Sequence, residues 1–225
     1  MIHPSHSVRE AVDNLADEGS AVEGLTIESQ VRLWILWSNI AVNHEAEASR
    51  ARQRATELKK RGGHFADDLN REFESVLVTV TACANALEAL YGGLLAQAPT
   101  RARPDNERPD WRKVWLTLDA CFDLGSLEQA TWPDRFEYLF KIKRNTIVHF
   151  KEPSRPLAPH PLGITTSPEY AEYALEAANE SVDLLLEVLT TCASSQTRSP
   201  EVDTYHEDIK TYSPTLVHDR RELQV

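Results

Sequence analysis

Residues 73–94 read FESVLVTVTACANALEALYGGL, and this stretch carries the clearest periodic signal in the chain. Its apolar positions recur at steps of three and four, which places them along one face of an α-helix. These positions are Phe73, Val76, Leu77, Val80, Ala84, Leu87, Tyr91 and Leu94. The sequence therefore predicts a long core helix from about Phe65 to Gln97, unless the pair Gly92–Gly93 ends it earlier.

The segments around this helix are also helical in pattern. Residues 26–61 start with a capping residue, Thr26, and stop at Gly62, so they predict a first long helix. A short helix is predicted over 111–122, a third main helix from Thr131 to a point before Pro153, and a fourth over about 169–192. Since no run of residues indicates a β-strand, we expect an all-α fold, a four-helix bundle with one extra short helix.

Polar segments flank the helical region. Residues 1–24 are predicted to be a polar N-terminal extension, residues 25–195 the helical domain, and residues 196–225 a polar C-terminal tail. The predicted core residues are Phe73, Val76, Leu77, Val80, Leu87, Phe140, Ile147 and Leu185.

Composition excludes several classes of protein. The 225 residues include only 8 glycines, and no phosphate-binding glycine motif or nucleophile elbow occurs. The net charge of −11 repels nucleic acid at long range, so any contact with RNA needs a local basic patch. Three separated cysteines and the absence of metal-ligand spacing argue against a disulfide framework or a metal site. We expect a cytoplasmic protein with no membrane span, no metal and no cofactor.

A basic stretch closes the predicted third helix. Residues 141–151 read KIKRNTIVHFK, and within them Arg144 to His149 form the motif RNTIVH. This motif resembles the R-x4-6-H motif of the HEPN superfamily, which consists of small four-helix domains that are often ribonucleases. The polar residue Asn145 follows the arginine, as is common in that family. Residues 84–90, ANALEAL, also resemble the second helix of many HEPN proteins, and the resemblance covers about 26–192.

The resemblance implies a metal-independent endoribonuclease that works as a homodimer. His149 would be the general acid/base, Arg144 the phosphate clamp and Asn145 an orienting polar group. Histidine can transfer protons near neutral pH, and the arginine fork matches a phosphate that gains charge. Glu88 would face the motif histidine by resemblance, although a surface glutamate is an equal alternative. The basic residues around the motif would bind RNA; they are Lys141, Lys143 and Lys151.

The spacing of the motif raises a geometric question. On an ideal α-helix, about 100° per residue places Asn145 and His149 on one face but separates Arg144 from His149 by about 140°. These two residues share a site only if the helix distorts at its end or if two subunits each contribute one of them.

Two further matters stay open at this level. A second basic cluster could guide an RNA backbone or could be a solvated helix face; it comprises Arg50, Arg52, Arg54, Lys59, Lys60 and Arg61. The protein itself could be a toxin or defence ribonuclease controlled by an antitoxin or other regulatory protein. The alternatives are a non-catalytic HEPN-like domain that binds a partner protein or nucleotide, and a plain helical interaction module.

Overall fold

Helices make up nearly all of the chain that the computed structural model describes, namely residues 32–97, 110–124, 131–144, 155–198 and 200–224. The first four helices are α1 (Leu33–Lys60), α2 (Ala66–Gln97), α3 (Asp110–Cys121) and α4 (Trp132–Glu137). A π-helix, Tyr138–Arg144, continues α4. There follow a hairpin of β1 (Ala158–His160) and β2 (Ile164–Thr166), then α5 (Pro168–Glu172), α6 (Leu175–Ser194), a 3₁₀ turn (Pro200–Val202) and α7 (Asp203–Leu223). The predicted all-α class is confirmed, whereas the HEPN type stays a prediction.

The core lies where α1, α2 and α6 pack together. Most of the predicted core residues are fully buried; these are Val76, Val80, Leu87, Phe140 and Leu185. Phe73 and Leu77 are partly buried and pack against that core, while Ile147 lies outside the described residues. The helix α2 continues through Gly92 and Gly93 to Gln97, so these glycines do not end it.

The predicted fourth helix is divided in two. Tyr173 and Ala174 leave the helical conformation between α5 and α6, although neither residue is a helix breaker. The Leu175 amide, in the first turn of α6, donates instead to the buried Glu72 carboxylate of α2 at 2.9 Å. The preceding proline-rich connection contains the antiparallel hairpin, with His160 opposite Ile164, where no strand was expected. Both differences come from tertiary contacts that local patterning does not contain.

The predicted polar tail contains a long helix. The 21 residues of α7 are polar on average, but one side is buried against the bundle through Tyr205, His206, Ile209, Ser213 and Leu216. These positions follow a helical period, which is hard to see in the sequence because two of the buried residues, His206 and Ser213, are polar. Gly93 makes this docking possible, because a Cβ atom there would overlap the hydroxyl and ring of Tyr205.

A buried ion pair fastens the other end of α7. Arg220 donates two hydrogen bonds to the Glu45 carboxylate of α1, at 2.8 and 2.5 Å, and a third to Asp183 of α6. The Glu45 side chain is 1% exposed. Burial raises the pKa of Glu45 and outweighs the opposing effect of Arg220. The pair therefore holds three helices together at the cost of removing a carboxylate from water.

The apolar helix α2 is the one described segment long and apolar enough to cross a membrane. Its most apolar window is 56% buried inside the bundle, as in the core helix of a soluble protein.

The two neighbouring glycines of α2 give a matched test of this packing. Gly92→Ala meets nothing within 4 Å, so the better helix propensity of alanine should raise the free energy of unfolding by about 0.5–1 kcal/mol. Gly93→Ala forces Tyr205 out of place and should lower it by about 1–3 kcal/mol. Urea denaturation measures both. Equal effects of the two substitutions would contradict the close contact between α2 and α7.

The Glu45–Arg220 pair predicts strong non-additivity. Arg220→Leu leaves a buried carboxylate without its partner and should lower the free energy of unfolding by about 3–5 kcal/mol. Adding Glu45→Leu removes that carboxylate and should restore most of the loss, since Asp183 is half-exposed and returns to water. A double variant that is no more stable than Arg220→Leu would show that packing, not charge, dominates at this position.

Candidate functional site

The segment that leads into the RNTIVH motif is held firmly on the bundle. Trp132 and Phe136 of α4 are fully buried. The Trp132 indole donates to Glu187 of α6 at 2.6 Å, and Arg135 pairs with the other oxygen of the same carboxylate. A proline in the first turn suits the start of this helix, because its missing N–H needs no partner there. The residues that precede the motif are therefore fixed against α6.

The winding of this segment changes before the motif begins. From Tyr138 to Arg144 the backbone is π-helical, a form with bonds between residues five apart that occurs often at functional sites. This winding covers the seven residues that end at Arg144. The residues between Arg144 and His149 lie outside the described part of the chain, so both routes for uniting the two side chains stay open.

The structure describes some of the predicted site residues and not others. The backbone of Lys143 and Arg144 lies in the π-helix, but their side chains are outside the described part. Asn145, His149 and Lys151 also lie outside it. Their predicted roles stay predictions.

Two predicted site residues have described side chains. Lys141 is exposed and forms an i,i+4 pair with Glu137 at 3.1 Å; such a surface pair is weak and exchanges readily. Glu88 is half-buried on α2 and already takes part in an interaction with its surroundings. Lys141 is therefore accessible to a ligand, while Glu88 is not a free surface glutamate.

A cleft of about 320 Å³ lies between the π-helix and α6. Its acidic lining residues are Asp134, Glu180 and Asp183, against one cation, Arg135. Burial, followed by the charges of Glu180 and Glu172, raises the pKa of Tyr138 at its edge, so this phenol keeps its proton near neutral pH. An acidic wall disfavours phosphate, and any RNA bound near the motif should avoid this cleft.

The second basic cluster is largely occupied by internal contacts. Arg52 makes two hydrogen bonds to Glu72, at 2.6 and 2.8 Å, and also contacts Glu176. Arg54 pairs with Asp68. These contacts engage Arg52 and Arg54, whereas Lys60 and Arg61 are exposed, so the six residues do not form one free basic surface.

The same cluster holds the hairpin in place. Lys59 donates to the turn carbonyls of Leu162 and Gly163, at 2.6 and 3.0 Å. His160 is buried beside Glu72, with its Nε2 at 3.8 Å from a carboxylate oxygen, and its Nδ1 accepts the Leu162 amide. Burial is the main effect that lowers the pKa of His160. This histidine is neutral and out of reach of substrate, so it stabilises the fold and does not offer a second catalytic centre.

The remaining reactive groups of the described chain are inert. Burial raises the pKa of all three cysteines, that of Cys121 to about 11, so none is a ready nucleophile. Among the described residues, no cluster of three or more His, Cys, Asp or Glu side chains could hold a metal ion.

Sequence reasoning missed the carboxylates that organise this region. Glu72 and Glu45 occupy positions on the buried stripes of their helices, four residues from Val76 and three from Val42. A carboxylate at a core position requires a cationic partner, so this spacing was the signal that could have identified them.

Comparisons with known proteins add no identity to this picture. No protein-family model, no curated protein and no solved structure matches the chain.

Proposed function

We propose that this protein is a metal-independent endoribonuclease of HEPN type. Arg144 binds the scissile phosphate, His149 transfers protons and Asn145 orients the reacting groups. The observation that supports this proposal is the π-helix that ends at Arg144, because this winding occurs often at functional sites.

Arg144 and His149 can share a site in two ways. On an ideal α-helix the two side chains diverge by about 140°. Either the helix distorts after Arg144, or two subunits of the dimer each contribute one residue of the pair.

The reaction needs only these groups and the substrate. A base removes the proton from a ribose 2′-hydroxyl, and its oxygen attacks the adjacent phosphorus. The 5′-oxygen leaves as it takes a proton, which yields a 2′,3′-cyclic phosphate and a 5′-hydroxyl. Histidine serves either proton transfer near neutral pH, and a guanidinium stabilises the charge that the phosphate gains.

The surroundings of the motif favour one direction of approach for RNA. Lys141 is exposed next to the motif, and Lys143 and Lys151 add positive charge along the sequence. The cleft on the α6 side is acidic. RNA would therefore approach the lysine-bearing segment and not the cleft.

The cellular setting follows from the proposed activity. An enzyme that cuts RNA without a cofactor needs restraint in the cell, so we propose a cytoplasmic toxin or defence effector under the control of an antitoxin or other regulatory protein. The working form is a homodimer in which the two motif segments share one cleft, as the resemblance implies.

Cleavage of RNA by the purified protein is the direct test. His149→Ala should lower the rate by about 10²–10⁴-fold, the usual contribution of a positioned acid or base. Arg144→Lys should also be severely impaired, because a point charge does not reproduce the planar fork. Activity should survive EDTA, and single-stranded DNA of the same sequence should stay intact because it lacks the 2′-hydroxyl.

The control for these variants is Arg112→Lys, an exposed arginine on α3, which should cleave at the wild-type rate. Product analysis should find a 2′,3′-cyclic phosphate. A wild-type protein that cuts no RNA would favour a non-catalytic domain that binds a partner protein or nucleotide. Unchanged cleavage by His149→Ala would show that the catalytic residue is elsewhere.

Assembly is tested separately. Sedimentation at micromolar concentration should give twice the 25.4 kDa of one chain. When inactive Arg144→Ala and His149→Ala proteins are mixed and allowed to exchange subunits, a mixture that stays inactive would place each catalytic pair within one subunit. Recovered activity would place the two residues of a pair on different subunits, and a monomer would overturn the dimer.

A further inference from the structure

A second cleft, of about 520 Å³, lies between the C-terminal part of α6 and the outer side of α7. Lys210 and Arg221 bring positive charge to its lining, and His218 adds an imidazole. No carboxylate belongs to the described lining, in contrast to the cleft beside the π-helix. In a chain of net charge −11, this lining is a local concentration of positive charge.

The cations of this cleft are available for binding. The other arginines of α7 and of the helices it touches are engaged; Arg32 pairs with Asp208 and Arg220 with Glu45. Arg221 and His218 are exposed, and neither side chain pairs with another group in the described chain. Lys210 forms a surface pair with Glu207 at 2.9 Å, which is weak and readily exchanged.

The arrangement of the cations identifies the shape of the anion. Lys210 and Arg221 are eleven residues apart on one side of α7, about 16 Å along the helix axis. A single small anion cannot contact both ends, whereas a chain with repeated charges can. The wall between them is formed by Val217 and Pro214 of α7 and by Thr190 of α6, and no Phe, Tyr or Trp side chain lines it within the described residues. Such a groove contacts a backbone and does not stack bases.

Pro214 adds an independent sign of function. It lies inside α7, where it removes the hydrogen bond to the Lys210 carbonyl, and it is exposed in the cleft. A proline inside a helix costs about 3 kcal/mol relative to alanine, and burial of its own side chain does not offset that cost here. Departures from local rules without a packing gain concentrate at functional sites.

We propose that the α6–α7 cleft binds the phosphodiester backbone of a single-stranded nucleic acid through Lys210, His218 and Arg221. The identification of this nucleic acid as the RNA substrate rests on the proposed ribonuclease function. The proposal that the cleft binds a nucleic acid does not. Since Asp219 and Glu222 flank Arg221 along α7, the affinity is modest and depends steeply on salt.

Binding is measured by fluorescence anisotropy with a labelled oligothymidylate, because DNA is not cut by 2′-hydroxyl attack and reports binding whether or not the protein is a nuclease. Arg221→Gln and Lys210→Gln should each weaken binding several-fold. Each should also reduce the slope of log affinity against log salt by about 0.7. Arg112→Gln, which removes the same charge from an exposed site on α3, should leave the slope unchanged. Labelled oligouridylate with the His149→Ala protein should behave in the same way.

The outcomes separate this inference from the catalytic proposal. The proposal for the α6–α7 cleft is overturned if neither oligonucleotide binds or if Arg112→Gln weakens binding equally. It is also overturned if polyglutamate competes equally well, which would identify an acidic protein segment as the ligand. Binding that depends on Arg221 in a protein that cuts no RNA would keep the groove and reject the nuclease. RNA cleavage by a protein whose oligonucleotide binding is unaffected by Arg221→Gln would keep the nuclease and reject the binding role of the cleft.

Discussion

The buried carboxylate of Glu72 is the contact on which the arrangement of the bundle depends. It receives two hydrogen bonds from Arg52 of α1 and one from the Leu175 amide that starts α6, and it lies beside His160 of the hairpin. A carboxylate that is almost completely buried must keep these partners, because an unpaired buried charge is far more costly than an exposed one. Contacts with the Glu72 carboxylate therefore join α1, α2, α6 and the hairpin.

The same principle explains why an acidic chain contains so little usable positive charge. Arginines from one helix neutralise carboxylates of another, as Arg52 does for Glu72, Arg135 for Glu187 and Arg220 for Glu45. Clusters of arginine in the sequence therefore do not predict where an anion binds. The cations left for a ligand are those that face solvent without a partner, such as Arg221.

This distribution connects the two proposals. The acidic residues of α6 line the cleft beside the π-helix, and Lys210 and Arg221 of α7 line the other. Asp183 of the first cleft pairs with Arg220 of α7. A polyanion is excluded from the first cleft and accepted by the second. In a protein of net negative charge, the surface that a polyanion can contact therefore depends on which arginines are already paired with carboxylates of the fold.

The sequence by itself determined the all-α class and most of the core, because α2 has a long apolar stripe that only a helix can bury on one side. It also identified the RNTIVH motif and the polar character of α7, although it treated the latter as a tail. Only the tertiary structure decided that α7 docks through Tyr205 against Gly93, that the fourth helix divides where Glu72 captures the Leu175 amide, and that Arg52 of the second basic cluster pairs with a buried carboxylate. Each of these depends on pairing between residues distant in the chain, and local periodicity holds no information about which partner a buried charge will find.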